Sequence, residues 1–218
     1  MIQISNLSKK YGETVVFSDL NYTFENACIY GLVGRNGAGK TTLLNILSNY
    51  DKNYTGVISI DRKKMNKVDY LDMPVAYAMD QPSFFNELTI YENLLLIASS
   101  RKIKKQEAFD KIERILDGLG LKKYENYSPL ELSKGTMQRL NNACAMIQEE
   151  KITIFDEPFS GLDPVQMKLL ENVIVEFHKK EKGIYIISSH DIECLQNVCD
   201  KCLLLHNGQI REINMEEV

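Results

Sequence analysis

The segment IYGLVGRNGAGKTTLLNIL, residues 29–47, decides the fold. An apolar run is followed by a turn with Gly34, Gly37 and Gly39 and then by apolar residues at helical spacing, which matches the pattern G-x-x-x-x-G-K-[ST] between a strand and a helix. Glycines let backbone N–H groups wrap around phosphate groups, and the helix start adds the positive end of its dipole. Lys40 is expected to reach the β- and γ-phosphates, and Thr41 to offer a hydroxyl to Mg²⁺.

The composition favours one globular domain without a basic surface. The chain has 218 residues, of which 44% are hydrophobic, and a formal net charge of -4. These values predict a single core and no nucleic-acid partner. The longest apolar runs, such as residues 94–98, are far shorter than the roughly 20 residues that span a bilayer, and the first ten residues lack a signal peptide's apolar core. We therefore expect a cytoplasmic protein with no direct membrane insertion.

Short apolar runs alternate with helical stretches through most of the chain. The predicted strands lie at residues 28–33, 75–79, 152–155, 184–187 and 202–205. This alternation predicts an α/β fold with a mainly parallel core sheet, and the pattern of residues 1–24 predicts antiparallel strands before it. Residues 83–150 carry apolar residues at helical spacing and are expected to form an inserted helical subdomain.

A second set of polar residues follows two of the predicted strands. The segment KITIFDEP ends a strand in Asp156 and Glu157, and IYIISSH ends another in His190. Ligands of open α/β sheets bind beyond the carboxyl ends of the strands. Asp156 is therefore expected to orient Mg²⁺ and Glu157 to polarise the water that attacks the γ-phosphate, while His190 is placed to contact that phosphate. A solvated acidic pair and a structural histidine are the alternatives.

The segment LSKGTMQRL, residues 132–140, predicts a helix that begins at an anion site. Ser133 is the expected N-cap, and Gly135 in the first turn leaves backbone N–H groups open to a ligand. Met137, Leu140 and Cys144, with Ile147 beyond them, predict one buried apolar stripe. An ordinary capped helix is the alternative from these residues alone.

Taken in order, these motifs resemble the ATP-binding cassette (ABC) family over essentially the whole chain. Tyr11 in KKYGE is similar to the aromatic residue that stacks on adenine, and Gln81 in AMDQP to the glutamine that links Mg²⁺ to the helical subdomain. LSKGT occupies the place of the LSGGQ signature, ITIFDE that of the Walker B strand, and SGLD at 160–163 that of the loop after it. The turn resembles the Walker A loop, with nucleotide-binding residues Gly34, Arg35, Asn36, Gly37, Ala38, Gly39, Lys40, Thr41 and Thr42.

The resemblance implies an ATPase that works as a dimer, with ATP and Mg²⁺ as its cofactors. In this family two cassettes enclose two ATP molecules, so Ser133 and Gly135 would bind the nucleotide of a second ABC subunit, in a homodimer or a heterodimer. The implied metal residues are Thr41, Gln81 and Asp156, and the implied catalytic residues are Glu157, His190 and Gln81. Lys134 and Thr136 depart from the signature, so the strength of this contact stays open.

The resemblance also implies a structural role for the cysteines near the end of the sequence. Cys194, Cys199 and Cys202 match the spacing of some iron–sulfur ligands, but a fourth ligand is missing. The family has a helix followed by a strand here, which implies that Cys199 lies near the helix end and Cys202 on the strand, both as apolar core residues.

The expected protein is a P-loop NTPase of one ABC ATPase domain, residues 1–218. Its RecA-like core with the N-terminal β section comprises residues 1–82 and 151–218, and residues 83–150 form the helical subdomain. Its expected function is to power transport, with export favoured by the LSKG variant, through separate transmembrane permease subunits on the inner face of the membrane. A soluble, non-transport ABC ATPase and a P-loop small-molecule kinase are the alternatives.

Overall fold

Two β-sheets and five α-helices form the part of the chain that the structure, a computed structural model, describes: residues 1–65, 68 and 72–214. The predicted domain, residues 1–218, also includes residues outside this set. The strands are β1 (Ile2–Tyr11), β2 (Thr14–Phe24), β3 (Cys28–Val33), β4 (Thr55–Ile60), β5 (Lys63–Lys64), β6 (Val75–Ala78), β7 (Ile152–Phe155), β8 (Ile184–Ser189), β9 (Lys201–His206) and β10 (Gln209–Ile213). The helices are α1 (Lys40–Leu47), α2 (Ile90–Ser100), α3 (Lys105–Gly118), α4 (Lys134–Met146) and α5 (Pro164–Glu181).

The larger sheet brings the predicted site motifs to one edge. Its strand order is β10-β9-β3-β8-β7-β6, and all its pairs are parallel except that between β10 and β9. Val33 pairs with Ser189, and Ile187 with Phe155, so β3, β8 and β7 end side by side. The predicted α/β P-loop fold is therefore confirmed, and the segments after these strands share the edge where ligands bind in such sheets.

The smaller sheet is the antiparallel section predicted for residues 1–24. Its strand order is β2-β1-β4-β5, with β1 and β2 joined by the tight turn at Gly12. The inward residues of β1 and β2, among them Leu7 and Leu20, are fully buried, whereas their neighbours are exposed. This alternation is what a sheet packed on one face requires.

The core lies on both faces of the larger sheet. Along β3, Ile29 and Val33 face the helices α2 to α5, while Tyr30 and Leu32 face α1 and the smaller sheet. All six residues of β3 are buried. Since no side of this strand meets water, its sequence is an uninterrupted apolar run rather than an alternating one.

The segment between β6 and β7 is helical, as predicted for residues 83–150, and contains α2, α3 and α4. Helix α4 packs directly against β6 and β7, so it also belongs to the core of the larger sheet. Lys111 of α3 is only 1% exposed and forms ion pairs with Glu149 at 2.6 Å and with Glu181 at 3.2 Å. The pair with Glu181 fastens the helical segment to the end of α5.

The prediction for the cysteine-rich segment was right about burial and wrong about the helix. Cys199 and Cys202 are buried, the latter on β9. Before β9, however, only the 3-10 turn Glu193–Leu195 forms in place of the expected helix. Asp200 anchors this segment to β3 through two hydrogen bonds. Its carboxylate accepts from the N–H of Ile29 at 2.8 Å, and its own N–H donates to the carbonyl of Ile29 at 2.8 Å.

A search of the helices for a membrane span gave a negative result. Among residues 1–65, 68 and 72–214, no helix combines the length and apolar character needed to cross a bilayer.

Candidate nucleotide-binding site

The loop between β3 and α1 leaves the start of the helix open. Gly39 is the N-cap residue with φ 101° and provides no side chain to bond the first N–H groups. A Cβ at Gly39 would lie 2.7 Å from Cγ1 of Val16 on β2, so this position requires glycine for space as well as for φ. Gly37 also has a positive φ, 81°, at the exposed tip of the loop. The result is a turn whose free N–H groups are available to an anion.

Lys40, the first residue of α1, connects the loop to the second predicted motif. Its Nζ donates to the carbonyl oxygen of Gly34 at 2.8 Å and lies 3.5 Å from Oε1 of Glu157. The Lys40 side chain is 7% exposed, so it is already held at the loop before any phosphate binds. A cation in a partly dry site interacts with a phosphate more strongly than one in bulk water.

Asp156 lies directly after β7 with 1% of its surface exposed. Ser188 on β8 donates its hydroxyl to Oδ1 of Asp156 at 2.5 Å, and the Thr41 hydroxyl is close enough to this carboxylate to lower its pKa. Burial raises the pKa of Asp156, although these hydroxyl groups act in the opposite direction. The structure thus brings together Thr41 and Asp156, two of the three predicted metal residues, and both offer the oxygen donors that Mg²⁺ prefers.

Glu157 makes the contacts that join the two strand ends. Its Oε2 lies 2.9 Å from Nδ1 of His190, and its N–H donates to the Ser188 hydroxyl at 2.9 Å. Glu157 has φ 50°, a left-handed conformation that costs free energy in a residue other than glycine and often marks a functional position. Lys40, Glu157 and His190 therefore form one connected group at the sheet edge.

Gln81 is exposed in the turn after β6, and its neighbour Asp80 is a site residue that sequence reasoning missed. Beyond the effect of burial, the negative charge of Asp80 further raises the pKa of Asp156. Its position two residues after β6, a strand of the parallel sheet, was the available signal.

Tyr11 ends β1 at the edge of the smaller sheet, with half of its side chain exposed. Its hydroxyl donates to Oδ2 of Asp51 at 3.2 Å, and the ammonium of Lys9 lies 4.5 Å from its ring centroid. The predicted base-stacking residue is thus held by two side chains that sequence reasoning did not single out.

Ser133 is the N-cap of α4, as predicted. Its Oγ accepts from the N–H of Thr136 at 3.2 Å and lies 2.9 Å from the Thr136 hydroxyl. Gly135 packs against the 160–163 turn, where a Cβ would lie 3.0 Å from the carbonyl oxygen of Gly161. The start of α4, which Ser133 caps, therefore lies against this turn at Gly135.

The family to which this chain belongs follows from comparison with known proteins. The sequence profile described as "ABC transporter" matches residues 17–160, which include the phosphate loop, α4 and the Asp156–Glu157 pair. The chain belongs to the ABC transporter family. It is an ATP-binding subunit of this family and an ATPase.

Similar proteins include ABC subunits with different named tasks. The chain is 32% identical over 208 residues to an uncharacterized ABC transporter ATP-binding protein of Methanocaldococcus jannaschii, covering 95% of this chain and 75% of that protein. It is 30% identical to the bacitracin transport ATP-binding protein BcrA of Enterococcus faecalis, covering 100% and 70% of the two chains. It is also 30% identical to the tungstate uptake ATP-binding protein TupC of Peptoclostridium acidaminophilum, with 97% of each chain covered.

Solved ABC cassettes have the same fold. The ATP-binding subunit of an ABC transporter superposes with a TM-score of 0.89 at 27% identity, covering 100% of this chain and 91% of that one. The cassette MJ0796, solved as a dimer in a post-hydrolysis state with ADP and phosphate, superposes with a TM-score of 0.86 at 23% identity, with 99% of both chains covered.

The signature helix of this ABC chain is buried in a different way from the prediction. Met137 and Cys144, expected on a buried apolar stripe, are only half-buried, while Asn141 and Asn142 are buried. The reason is that α4 is enclosed on several sides and its amides bond the loops around it. The Nδ2 atom of Asn141 donates to the carbonyl of Met79 at 2.7 Å, and that of Asn142 to the carbonyl of Pro158 at 3.2 Å.

Arg139 is a further residue of this ABC site that sequence reasoning missed. It is 5% exposed, and its guanidinium donates to the carbonyl of Leu119 at 2.7 Å and to the Thr136 hydroxyl at 3.2 Å. Burial lowers the pKa of Arg139, because the charged form is the one that loses water. The guanidinium fixes Thr136, one of the two positions that depart from the family signature.

Proposed function

We propose that this chain hydrolyses ATP in a head-to-tail dimer of ABC subunits and thereby moves a substrate through separate transmembrane permease subunits. The observation that carries the proposal is the connected group of Lys40, Glu157 and His190 beside the open phosphate loop. A cation, a carboxylate and an imidazole at one edge of a sheet are the groups that phosphoryl transfer to water requires.

In this mechanism Glu157 is the general base. Its carboxylate accepts a proton from the water that attacks the γ-phosphate, and His190 orients the carboxylate through the 2.9 Å contact at Nδ1. Lys40 lies within the same group and stabilises the negative charge that develops on the phosphate. Lys40 is paired with Glu157 in the structure, and we expect the phosphates of ATP to compete with Glu157 for the ammonium and so free the base.

Mg²⁺ fits the oxygen donors at the end of β7. Thr41 and Asp156 would hold the ion, with Gln81 approaching from the turn after β6, and bound Mg²⁺ would neutralise charge on the phosphates. The raised pKa of the buried Asp156 carboxyl supports this assignment, since a nearby cation would stabilise its charged form.

We also propose that Ser133 and Gly135 bind the ATP held by the second subunit, as part of a helical subdomain of residues 83–150. The packing of Gly135 against the 160–163 turn, at the start of the helix that Ser133 caps, supports this role. Lys134 and Thr136 would then set the strength of the contact, because the first adds a mobile cation and the second is fixed by Arg139.

Transport is the proposed use of the hydrolysis. Relatives are named both for bacitracin transport and for tungstate uptake, so direction does not follow from them. We propose export on the LSKG variant of the signature, with the subunit associated with the membrane through its permease. Vesicles that contain this chain and the polytopic protein of an adjacent reading frame would accumulate substrate if the proposal is correct, whereas loss from preloaded vesicles would indicate import.

The test of the ATP-bound dimer is the variant Glu157→Gln, which keeps the shape of the side chain and removes the base. With saturating MgATP we expect this variant to elute as a dimer in size-exclusion chromatography, and Glu157→Gln/Lys40→Met to elute as a monomer. If Glu157→Gln elutes as a monomer while calorimetry shows that it binds ATP, the dimer mechanism is wrong.

A further inference from the structure

The ring of Tyr11 has one face covered by the protein. Lys9, two residues earlier on β1, places its ammonium 4.5 Å from the ring centroid. Lys9 is 4% exposed and Tyr11 is 52% exposed, so the cation lies on the inner face and the outer face is open. A cation on one face of an aromatic ring is attracted to its π electrons and withdraws negative potential from the opposite face.

Asp51 fixes both of these side chains through one carboxylate oxygen. Its Oδ2 accepts from Nζ of Lys9 at 2.7 Å and from the hydroxyl of Tyr11 at 3.2 Å, while Oδ1 accepts from the N–H of Asn53 at 2.9 Å. Burial opposes the charge of this carboxyl, but the hydrogen bonds from Lys9, Asn53 and Tyr11 hold its pKa below the usual range. Asp51 is therefore a charged acceptor that prevents the ring of Tyr11 from turning.

The same aspartate is attached to the helix of the phosphate loop. The N–H groups of Tyr50 and Asp51 both donate to the carbonyl of Asn45 in α1, each at 2.9 Å. Lys9 in addition donates to the carbonyl of Asn53 at 2.7 Å. Strand β1 is thus tied to the C-terminal end of the helix whose N-terminal end carries Lys40.

We propose that Lys9 and Asp51 are positioning residues for the nucleobase: they hold the open face of Tyr11 at a fixed place relative to the phosphate loop. This inference rests on the proposed function, in which Tyr11 stacks on adenine. Lys9 and Asp51 touch neither base nor phosphate, and they act through the ring of Tyr11. Removing them weakens only that part of the affinity which the base contributes.

The test compares ATP with inorganic tripolyphosphate, which has no base, by titration calorimetry with Mg²⁺ present. In Lys9→Met and in Tyr11→Phe we expect ATP to bind about threefold to tenfold more weakly and tripolyphosphate to bind as in the wild type. Lys10→Met is the matched control, because Lys10 is exposed on the same strand and its replacement removes the same charge. We expect the control to retain the wild-type ratio of the affinity for ATP to the affinity for tripolyphosphate.

Tyr11→Ala separates this inference from the proposed function. If Tyr11→Ala leaves the ratio of the two affinities unchanged, base stacking itself is wrong. If Tyr11→Ala lowers the ratio while Lys9→Met and Tyr11→Phe keep the wild-type value, stacking stands and the positioning role is overturned. Should Lys9→Met fail to fold, Tyr11→Phe decides the matter, since it changes only a half-exposed hydroxyl.

Discussion

Helices α1 and α4 begin in opposite ways. At the start of α1, Gly39 provides no capping side chain, and Asp156 nearby carries a buried carboxyl with a raised pKa. At the start of α4, Ser133 caps the N–H of Thr136, and the Thr136 hydroxyl is bonded in turn by Arg139. The first helix start has no side-chain cap, whereas the second has one.

The difference between the two helix starts indicates that the start of α1 binds a ligand and that the start of α4 holds residues in position. Unsatisfied N–H groups and a buried carboxyl destabilise the free protein, and a phosphate with its metal ion removes that cost when it binds. A helix whose polar groups are already bonded gains less from a ligand but holds its residues in place. We therefore expect substitutions near α1 to change nucleotide binding and hydrolysis most, and substitutions in α4 to change stability and dimer formation.

The largest expected effect is that of Lys40→Met. The variant keeps a long side chain and loses the ammonium that lies between Gly34 and Glu157. We expect phosphate release from ATP to fall by about 10²- to 10³-fold, because charge stabilisation at a transferring phosphate has this magnitude. Lys63→Met, on the exposed strand β5, is the control and should retain wild-type turnover. A Lys40→Met protein with more than a tenth of the wild-type rate would contradict the role of this lysine.

The next effect concerns the buried amides of α4. Asn141→Ala leaves the carbonyl of Met79 without its 2.7 Å bond and should lower the free energy of unfolding by about 2 kcal/mol. The matched substitution is Asn142→Ala: Oδ1 of Asn142 has no hydrogen-bond partner among the described residues, so removing it also relieves a cost. Denaturant titration should therefore find the Asn142 variant less destabilised. Equal losses would mean that cavity formation, not hydrogen bonding, dominates at both positions.

Ser133→Ala tests whether the cap of α4 has a second task. Loss of an N-cap costs about 1 kcal/mol, which corresponds to a Tm decrease of about 2–4 °C. Thr89→Ala removes the cap of α2, where Thr89 Oγ1 accepts from the N–H of Glu92 at 3.2 Å, and should cost the same. In the Glu157→Gln background we expect only Ser133→Ala to weaken ATP-dependent dimer formation. Equal dimer formation in the two variants would reduce Ser133 to a structural cap.

The smallest expected effect is an increase in stability rather than a loss, and it concerns Asp156. Since the pKa of Asp156 is raised in the folded state, the folded protein binds this proton more tightly than the unfolded chain does. Stability is therefore lost as the pH rises from the ordinary carboxyl range through the raised pKa. We expect Asp156→Asn without ligand to melt about 1–3 °C higher than the wild type at pH 7, with no difference at acidic pH. Scanning calorimetry at neutral and at acidic pH measures the Tm difference between the two proteins. MgATP should raise the Tm of the wild type only.

Much of the fold could be predicted because local patterns decided it. The strands at 28–33 and 152–155 have the predicted bounds, since runs buried on both faces are apolar without interruption. The same reasoning was half right for the predicted stripe of α4, because Leu140 and Ile147 are fully buried but Met137 and Cys144 are only half-buried. A helical period predicts one apolar stripe, but α4 is enclosed by the sheet and neighbouring loops, and its amides bond backbone atoms distant in sequence, such as the carbonyl of Met79.

The residues of the candidate site also fall into two groups, those that a local sequence pattern predicts and those that it does not. The phosphate loop and Asp156 follow from spacing, because the glycines and the strand end lie within a few residues of the chemistry. Arg139 and the pair of Lys9 with Asp51 depend on contacts between distant segments, and no short pattern marks them. Lys9 and Asp51 are 42 residues apart in sequence, yet their charged atoms lie 2.7 Å apart.

The length of α1 has a consequence for which nucleotides fit. Its eight residues span about 12 Å, with Lys40 at one end and the segment that carries Asp51 at the other. One inserted residue would lengthen the helix by about 1.5 Å and rotate its far end by about 100°. With the base stacked on Tyr11 as proposed, the helix would fix the separation between triphosphate and base, and a nucleotide with a shorter or longer phosphate chain would reach only one end of the site.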